Sequence, residues 1–306
     1  MNAIEIKGLT KNFGEKQALS GLNMTVPVGA IYGFIGENGS GKSTTEKIIC
    51  GLIHPSGGTV KLFDRDYKDS DVRAKMGVLI ESPGCFPSLT VWNNLMIQAN
   101  NLGVENAEEE IRRVIKLVRM EGAASNKFKN CSLGMKQRIS IAMALMGNPT
   151  LLVLDEPING LDADGMRIMR EVLLDVVKDG KCTVLVSSHI LGELEKVATH
   201  YGIVRGGKMI MEMTADELES NCRTYVAVKS RQNDVTLAIL RRHFIRVEED
   251  ESGYIRVYDD VKAEDVVTLL FSNGILVNEV RTDKIGLEEF YIDLMNKKEG
   301  SGYANY

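Results

Sequence analysis

The sequence predicts an α/β fold on a parallel sheet, followed by a small α+β module, and three observations carry that reading. Apolar strands alternate with amphipathic helices at residues 151–154, 166–178, 183–187 and 191–198, the pattern of parallel strands joined by helical crossovers. A glycine-rich turn lies between an apolar run at 30–35 and a helix expected to stop at Gly51. Beyond about Asn221 the order becomes strand, helix, strand, strand, helix, strand, which suggests a ferredoxin-like module.

Taken in order, Ala3-Ile4-Glu5-Ile6-Lys7 and Leu22-Asn23-Met24-Thr25-Val26 alternate apolar and polar residues and read as strands entering a buried sheet. Over residues 106–120, Ile111, Val114, Ile115 and Val118 share one helical face, opposite Glu108, Glu109, Arg112 and Arg113. Arg205-Gly206-Gly207-Lys208 reads as a hairpin turn, and Thr214-Ala215-Asp216-Glu217 has the spacing of a capping box opening a short helix. A domain boundary is placed near Ser220, dividing the chain into 1–220 and 221–306. The second part reads as strands at 225–229, 244–248, 254–258 and 275–280, with helices at 235–242 and 263–271. A last helix near 287–296 precedes a tail, 300–306, expected to fray.

Composition bounds the function. The 306 residues are 44% hydrophobic, 26% charged and 6% aromatic, ordinary globular usage that excludes disordered, collagenous and disulfide-scaffold classes. Mean hydropathy is −0.09, and no apolar run approaches the roughly 20 residues that span a bilayer. With no apolar signal stretch near the start, the chain is expected to be soluble and not exported. A net charge of −5, from 37 basic and 42 acidic residues, leaves no excess cation for a phosphodiester backbone, so nucleic acid is a disfavoured partner. Cys50, Cys85, Cys131, Cys182 and Cys222 are scattered, with no C-x-x-C pair, and read as small buried hydrophobes in a reducing cytoplasm.

Gly36-Glu37-Asn38-Gly39-Ser40-Gly41-Lys42-Ser43 fits G-x-x-x-x-G-K-[ST] at every position, with Thr44 beside it, between a strand and a helix as that motif requires. Glycines let successive N–H groups face the β- and γ-phosphates of a nucleotide, and the helix N-terminus adds partial positive charge. Lys42 supplies a point charge to the same phosphates, and the Ser43 hydroxyl is a candidate ligand for Mg²⁺. The fully apolar run 151–154 then ends in Asp155-Glu156-Pro157, two acids at the carboxyl end of a buried strand. Asp155 is the candidate for Mg²⁺, and Glu156 is placed to polarise an attacking water as general base.

Between these elements, Cys131-Ser132-Leu133-Gly134-Met135-Lys136-Gln137-Arg138 leads into a helix expected at 138–146. With the phosphate loop, the acid pair and a His after the next strand, residues 1–220 resemble the ATP-binding-cassette (ABC) family, whose signature is L-S-G-G-Q-x-Q-R. The resemblance implies a P-loop NTPase cassette, a RecA-like core carrying antiparallel β and helical subdomains, the latter at about 84–148. It also implies that Ser132 and Gly134 cap the γ-phosphate of ATP held by a facing subunit, so that catalysis needs a dimer. Leu133 stands where glycine is usual and Met135 where glutamine is usual. Read without the family, Ser132 is a helix N-cap.

By the same resemblance Phe13 stacks on adenine, Asn159-Gly160-Leu161-Asp162 is a loop that brings Asp162 across the dimer interface, and His189 touches the γ-phosphate. Glu81 occupies the place of a glutamine that reaches Mg²⁺, and a carboxylate there resembles a subgroup that exports, or confers immunity to, peptide antibiotics of the bacitracin and lantibiotic kind. The implied protein is a cytoplasmic ATPase subunit, peripheral on the inner face of the cell membrane through a separate integral-membrane permease. It pairs with itself or with another cassette, and Phe86, Leu89, Val91 and Trp92 are expected to line the groove for a permease helix. Two alternatives stay open: a soluble cassette ATPase of translation, DNA repair or Fe–S assembly, and a P-loop phosphotransferase. Glu156 directly after Asp155, with the signature segment and His189, favours water over an acceptor substrate.

Overall fold

The structure is a computed structural model that describes residues 1–81, 84–221, 224–250, 252–284 and 286–296. The chain divides into two compact units, Met1–Ala215 and Asp216–Tyr306. The helix Ala215–Asn221 starts at this division, and the boundary expected near Ser220 lies at its other end. Cys222 and the tail 300–306 lie outside the described residues.

In the first unit a six-stranded sheet runs in the order Lys208–Thr214, His200–Arg205, Ile31–Ile35, Thr183–Ser187, Leu151–Asp155, Met76–Leu79. Its pairs are parallel except for the first, a hairpin turned by Gly206 and Gly207. Ile31–Ile35 and Thr183–Ser187 are buried along their whole length, which explains their unbroken apolar sequence: strands covered on both faces have no polar side to show. The alternating segments near the start form instead a separate antiparallel sheet, ordered Lys16–Pro27, Asn2–Phe13, Gly57–Leu62, Arg65–Asp66. Ile4, Ile6 and Leu22 of this sheet pack with Tyr32, Phe34, Val153 and Leu185 of the other, and with Ile48 and Ile49 of the helix Lys42–Ile49.

Helices Val91–Asn101, Ala107–Leu117 and Leu133–Ala144 pack together beside the parallel sheet. The last begins at Leu133 rather than 138, because Ser132 Oγ accepts from the Met135 N–H at 3.2 Å and caps it. Val91, expected in a surface groove, is fully buried among these helices, whereas Phe86 is exposed. Asn94 explains how the preceding segment is held, since it accepts from the Phe86 N–H at 2.7 Å and donates to the Thr90 carbonyl at 2.9 Å.

The second unit runs Thr224–Ser230, Asn233–His243, Val247–Glu249, Ile255–Val257, Ala263–Ser272, Val277–Lys284, Leu287–Asn296. Numbered by sequence, its four strands lie in the order 2-3-1-4 and every pair is antiparallel, the ferredoxin-like arrangement that the element order predicts. Val226, Val228, Ile255 and Val257 pack against Leu240, Val266 and Leu270 of the two crossover helices. The second strand starts at Val247 rather than 244, because the N–H groups of Ile245 and Arg246 turn to the Asp259 carboxylate.

Candidate active site

The carboxyl ends of the parallel strands gather the chemistry. After Ile31–Ile35 the chain turns through Gly41, whose φ of 112° is open to glycine, into the helix Lys42–Ile49. That helix has no side-chain cap and no acid in its first turn, so its leading N–H groups and dipole face outward unanswered, as an anion site requires. Gly36 is needed for close approach: a Cβ there would lie 2.5 Å from both Ser40 Oγ and the Val204 carbonyl oxygen. Lys42 is buried and donates to the carbonyls of Gly36 at 2.6 Å and Glu37 at 3.2 Å, drawing the loop around its ammonium. Ser40 Oγ is buried with no hydrogen-bond partner.

Asp155 pairs across the sheet with Ser187, whose hydroxyl donates to Asp155 Oδ1 at 2.8 Å. The next residue, Glu156, sits in the left-handed region at φ 49°, unusual for a side-chain-bearing residue, and its N–H is held by the Ser187 carbonyl and hydroxyl at 3.2 Å each. His189 Nδ1 lies 2.7 Å from Glu156 Oε2. The two carboxylates thus have separate partners, one a hydroxyl and one an imidazole.

A cavity of about 630 Å³ opens over this arrangement. Of the residues singled out in the sequence, its wall includes Phe13, Asn38, Gly39, Gly41, Lys42, Ser43, Thr44, Glu81, Asp155 and Glu156. Phe13 is half exposed, with Lys11 Nζ 4.9 Å from its ring centre. Gly36, Glu37 and Ser40 complete the loop without lining the cavity, and His189 reaches it only through Glu156. Ser132, Gly134 and Asp162 do not line it. Ser132 caps its helix, and Asp162 accepts from the Gly165 N–H at 2.8 Å as the cap of Ala163–Val177. Glu81, also at positive φ, points to Lys47, 2.7 Å away, and that ammonium holds its carboxyl below the usual range.

Two residues that the sequence did not single out belong to the site. Ser187 positions both acids. Glu46 is fully buried beside Asp155 and Ser187; burial first, and the charge of Asp155 second, push its carboxyl well above the usual range. Cys50, Cys131 and Cys182 are buried as expected, and Cys85 is intermediate.

The residues present fit a nucleotide triphosphate: an uncapped helix end, a tight glycine loop, one buried ammonium and a cavity with an aromatic at its rim. Among the described residues no three His, Cys, Asp or Glu side chains cluster as a metal cage. The Asp155 carboxylate and the Ser43 hydroxyl, both on the cavity wall, suit Mg²⁺, which keeps waters and phosphate oxygens as its other ligands.

The pattern of the ABC transporter family matches residues 19–159. Over 299 residues the chain is 35% identical to the bacitracin transport ATP-binding protein BcrA of Bacillus licheniformis, covering 95% of this chain and 97% of that one. This chain belongs to the ABC transporter family. The lantibiotic transport ATP-binding protein SrtF of Streptococcus pyogenes is 37% identical, over 71% of this cassette protein and 93% of its own length. Among solved structures, an ATP-binding subunit of an ABC transporter superposes with a TM-score of 0.65 at 27% identity, covering 71% of this chain and 92% of that one. A dimeric post-hydrolysis state of an ATP-binding cassette, bound to ADP and phosphate, superposes at 0.63 and 27% identity, over 69% of this chain and 98% of that one. The cassette fold, the family and its ATPase activity are therefore those expected from the sequence. Among the described residues no helix is long and apolar enough to cross a membrane.

Proposed function

We propose that this ABC protein hydrolyses ATP·Mg²⁺ between two cassettes and thereby drives a separate membrane permease that exports bacitracin or a similar peptide antibiotic. The observation that carries the site assignment is the convergence of Lys42, Asp155 and Glu156 on one cavity at an uncapped helix end. Phe13 stacks on adenine. The phosphates replace the Gly36 and Glu37 carbonyls as partners of Lys42, and the loop N–H groups from Gly39 to Thr44 hold them. Ser43 and Asp155 hold Mg²⁺, which when bound neutralises charge on the phosphate oxygens. Glu156, oriented by His189, accepts the proton of the attacking water. Glu81 exchanges Lys47 for the metal side of the site.

Ser132 and Gly134 present the start of their helix to the nucleotide of the facing subunit, the Ser132 hydroxyl turning from the Met135 N–H to the phosphate, and Asp162 faces the same partner. Residues 84–148 act as the helical subdomain that meets the permease, holding the protein at the inner face of the membrane. The bacitracin assignment is supported by coverage: a match over 95% of the chain includes both units, whereas the match to the lantibiotic protein fills 71% of it.

Glu156→Gln tests the reading. ATP binding should persist, hydrolysis should fall by a hundredfold or more, and an ATP-bound dimer should accumulate on size exclusion. Hydrolysis at the parent rate would remove Glu156 as base. Co-purification of the parent with an integral-membrane protein tests the transport part.

A further inference from the structure

The turn at Ser132–Gly134 and the loop after Glu156 are interlocked by two leucines, each lying over a glycine of the other segment. Leu133 rests on Gly160: a Cβ at Gly160 would fall 2.6 Å from Leu133 Cδ2 and 3.2 Å from its Cγ. Leu161 returns the contact, since a Cβ at Gly134 would fall 3.5 Å from Leu161 Cδ2. One turn along the same helix, Gln137 Nε2 approaches the Glu156 carbonyl at 3.5 Å. The loop itself is braced by hydrogen bonds from the Asn159 N–H to the Glu156 carbonyl and from the Leu161 N–H to the Ile158 carbonyl, both 3.2 Å.

Core burial does not account for this contact. Leu133 is 65% exposed, so it returns little of the stabilisation that a buried leucine supplies. It also stands where the ABC signature usually has a glycine. A glycine has no side chain to reach Gly160, so this half of the interlock is particular to the leucine.

We propose that Leu133 and Leu161 are positioning residues that make the Ser132–Gly134 turn and the Glu156 loop one rigid body. The turn offered to the facing subunit and the orientation of the general base in the chain's own site then change together, linking closure of one site to readiness of the other. The inference rests on the two-cassette reading given above.

The test uses the full chain with Leu133→Gly, Leu161→Ala, the double variant and Leu133→Met. Each truncation should lower kcat about tenfold while leaving KM for ATP within about twofold, because the phosphate loop is untouched and Leu133, although on the cavity wall, offers the nucleotide no polar group. The double variant should be no slower than the slower single, since either change opens the same interlock, and Leu133→Met, which restores an apolar reach, should recover kcat to within about twofold. Effects of the two truncations that multiply, or a Leu133→Gly rate equal to the parent, would overturn the coupling. Glu156→Gln separates the two levels of argument. If it stays monomeric with ATP, the two-cassette reading falls and the coupling with it; if it dimerises while the leucine variants behave as the parent, only the coupling falls.

Discussion

Replacing Glu46 by glutamine should convert a pH-dependent weakness of the cassette into a pH-independent one. The unfolded chain releases the Glu46 proton above its ordinary value of 4.5, whereas the folded chain keeps it, because the side chain is fully buried beside the charge of Asp155. The folded state therefore binds more protons than the unfolded state. Stability is fully present below pH 4.5 and drains away as pH rises toward the folded value, by about 1.4 kcal/mol per pH unit for one proton. A unit of this size shifts the midpoint by about 2–4 °C per kcal/mol, or about 3–6 °C per pH unit. Glutamine has no proton to hold, and its buried amide adds an offset that does not vary with pH. The assay is thermal unfolding without nucleotide at intervals from pH 5 to 8, comparing parent and variant. The midpoint difference should climb in favour of Glu46→Gln at about the stated slope. Parallel curves would show that Glu46 ionises normally in the fold, and the account of its burial would be wrong.

Other substitutions probe the site more directly. Gly36→Ala places a methyl 2.5 Å from a backbone carbonyl that cannot swing aside, so it should destabilise the cassette by about 1–3 kcal/mol and weaken ATP binding, measured by unfolding and by nucleotide titration. Glu81→Gln cuts the ion pair with Lys47 but leaves the phosphate loop intact. Nucleotide affinity should hold within about threefold in a binding titration, and a collapse of affinity would contradict the placement of Glu81 on the metal side.

The convergence of the phosphate loop and the acid pair was legible in the sequence because it is written in residue type: glycines where side chains cannot fit, one lysine, and two acids ending an apolar run. The parallel strands were legible for a related reason, since burial on both faces leaves no polar residue to confuse them. Glu46 was not. In Lys42-Ser43-Thr44-Thr45-Glu46-Lys47 it looks like one of several polar surface positions, and only the docking of the helix against the sheet turns it inward. Ser187 was missed because its importance lies in register: it matters only because it pairs with Asp155 on the neighbouring strand. Val91 was misplaced because an apolar residue at a helix start reads equally well as groove or core. The interlock of Leu133 with Gly160 spans two segments well apart in the sequence, and no local pattern announces it.

Glu212 joins the two sheets of the cassette, and this has a bearing on selectivity. A single oxygen, Oε1, accepts from the Thr25 N–H of the antiparallel sheet at 2.9 Å and from the Tyr32 hydroxyl of the parallel sheet at 2.6 Å. A strand of one sheet ends in Phe13 and a strand of the other leads into the phosphate loop, so this tie helps to hold the span between aromatic and lysine. On the proposed site, a nucleotide with fewer phosphates would then have to reach Lys42 across that same span.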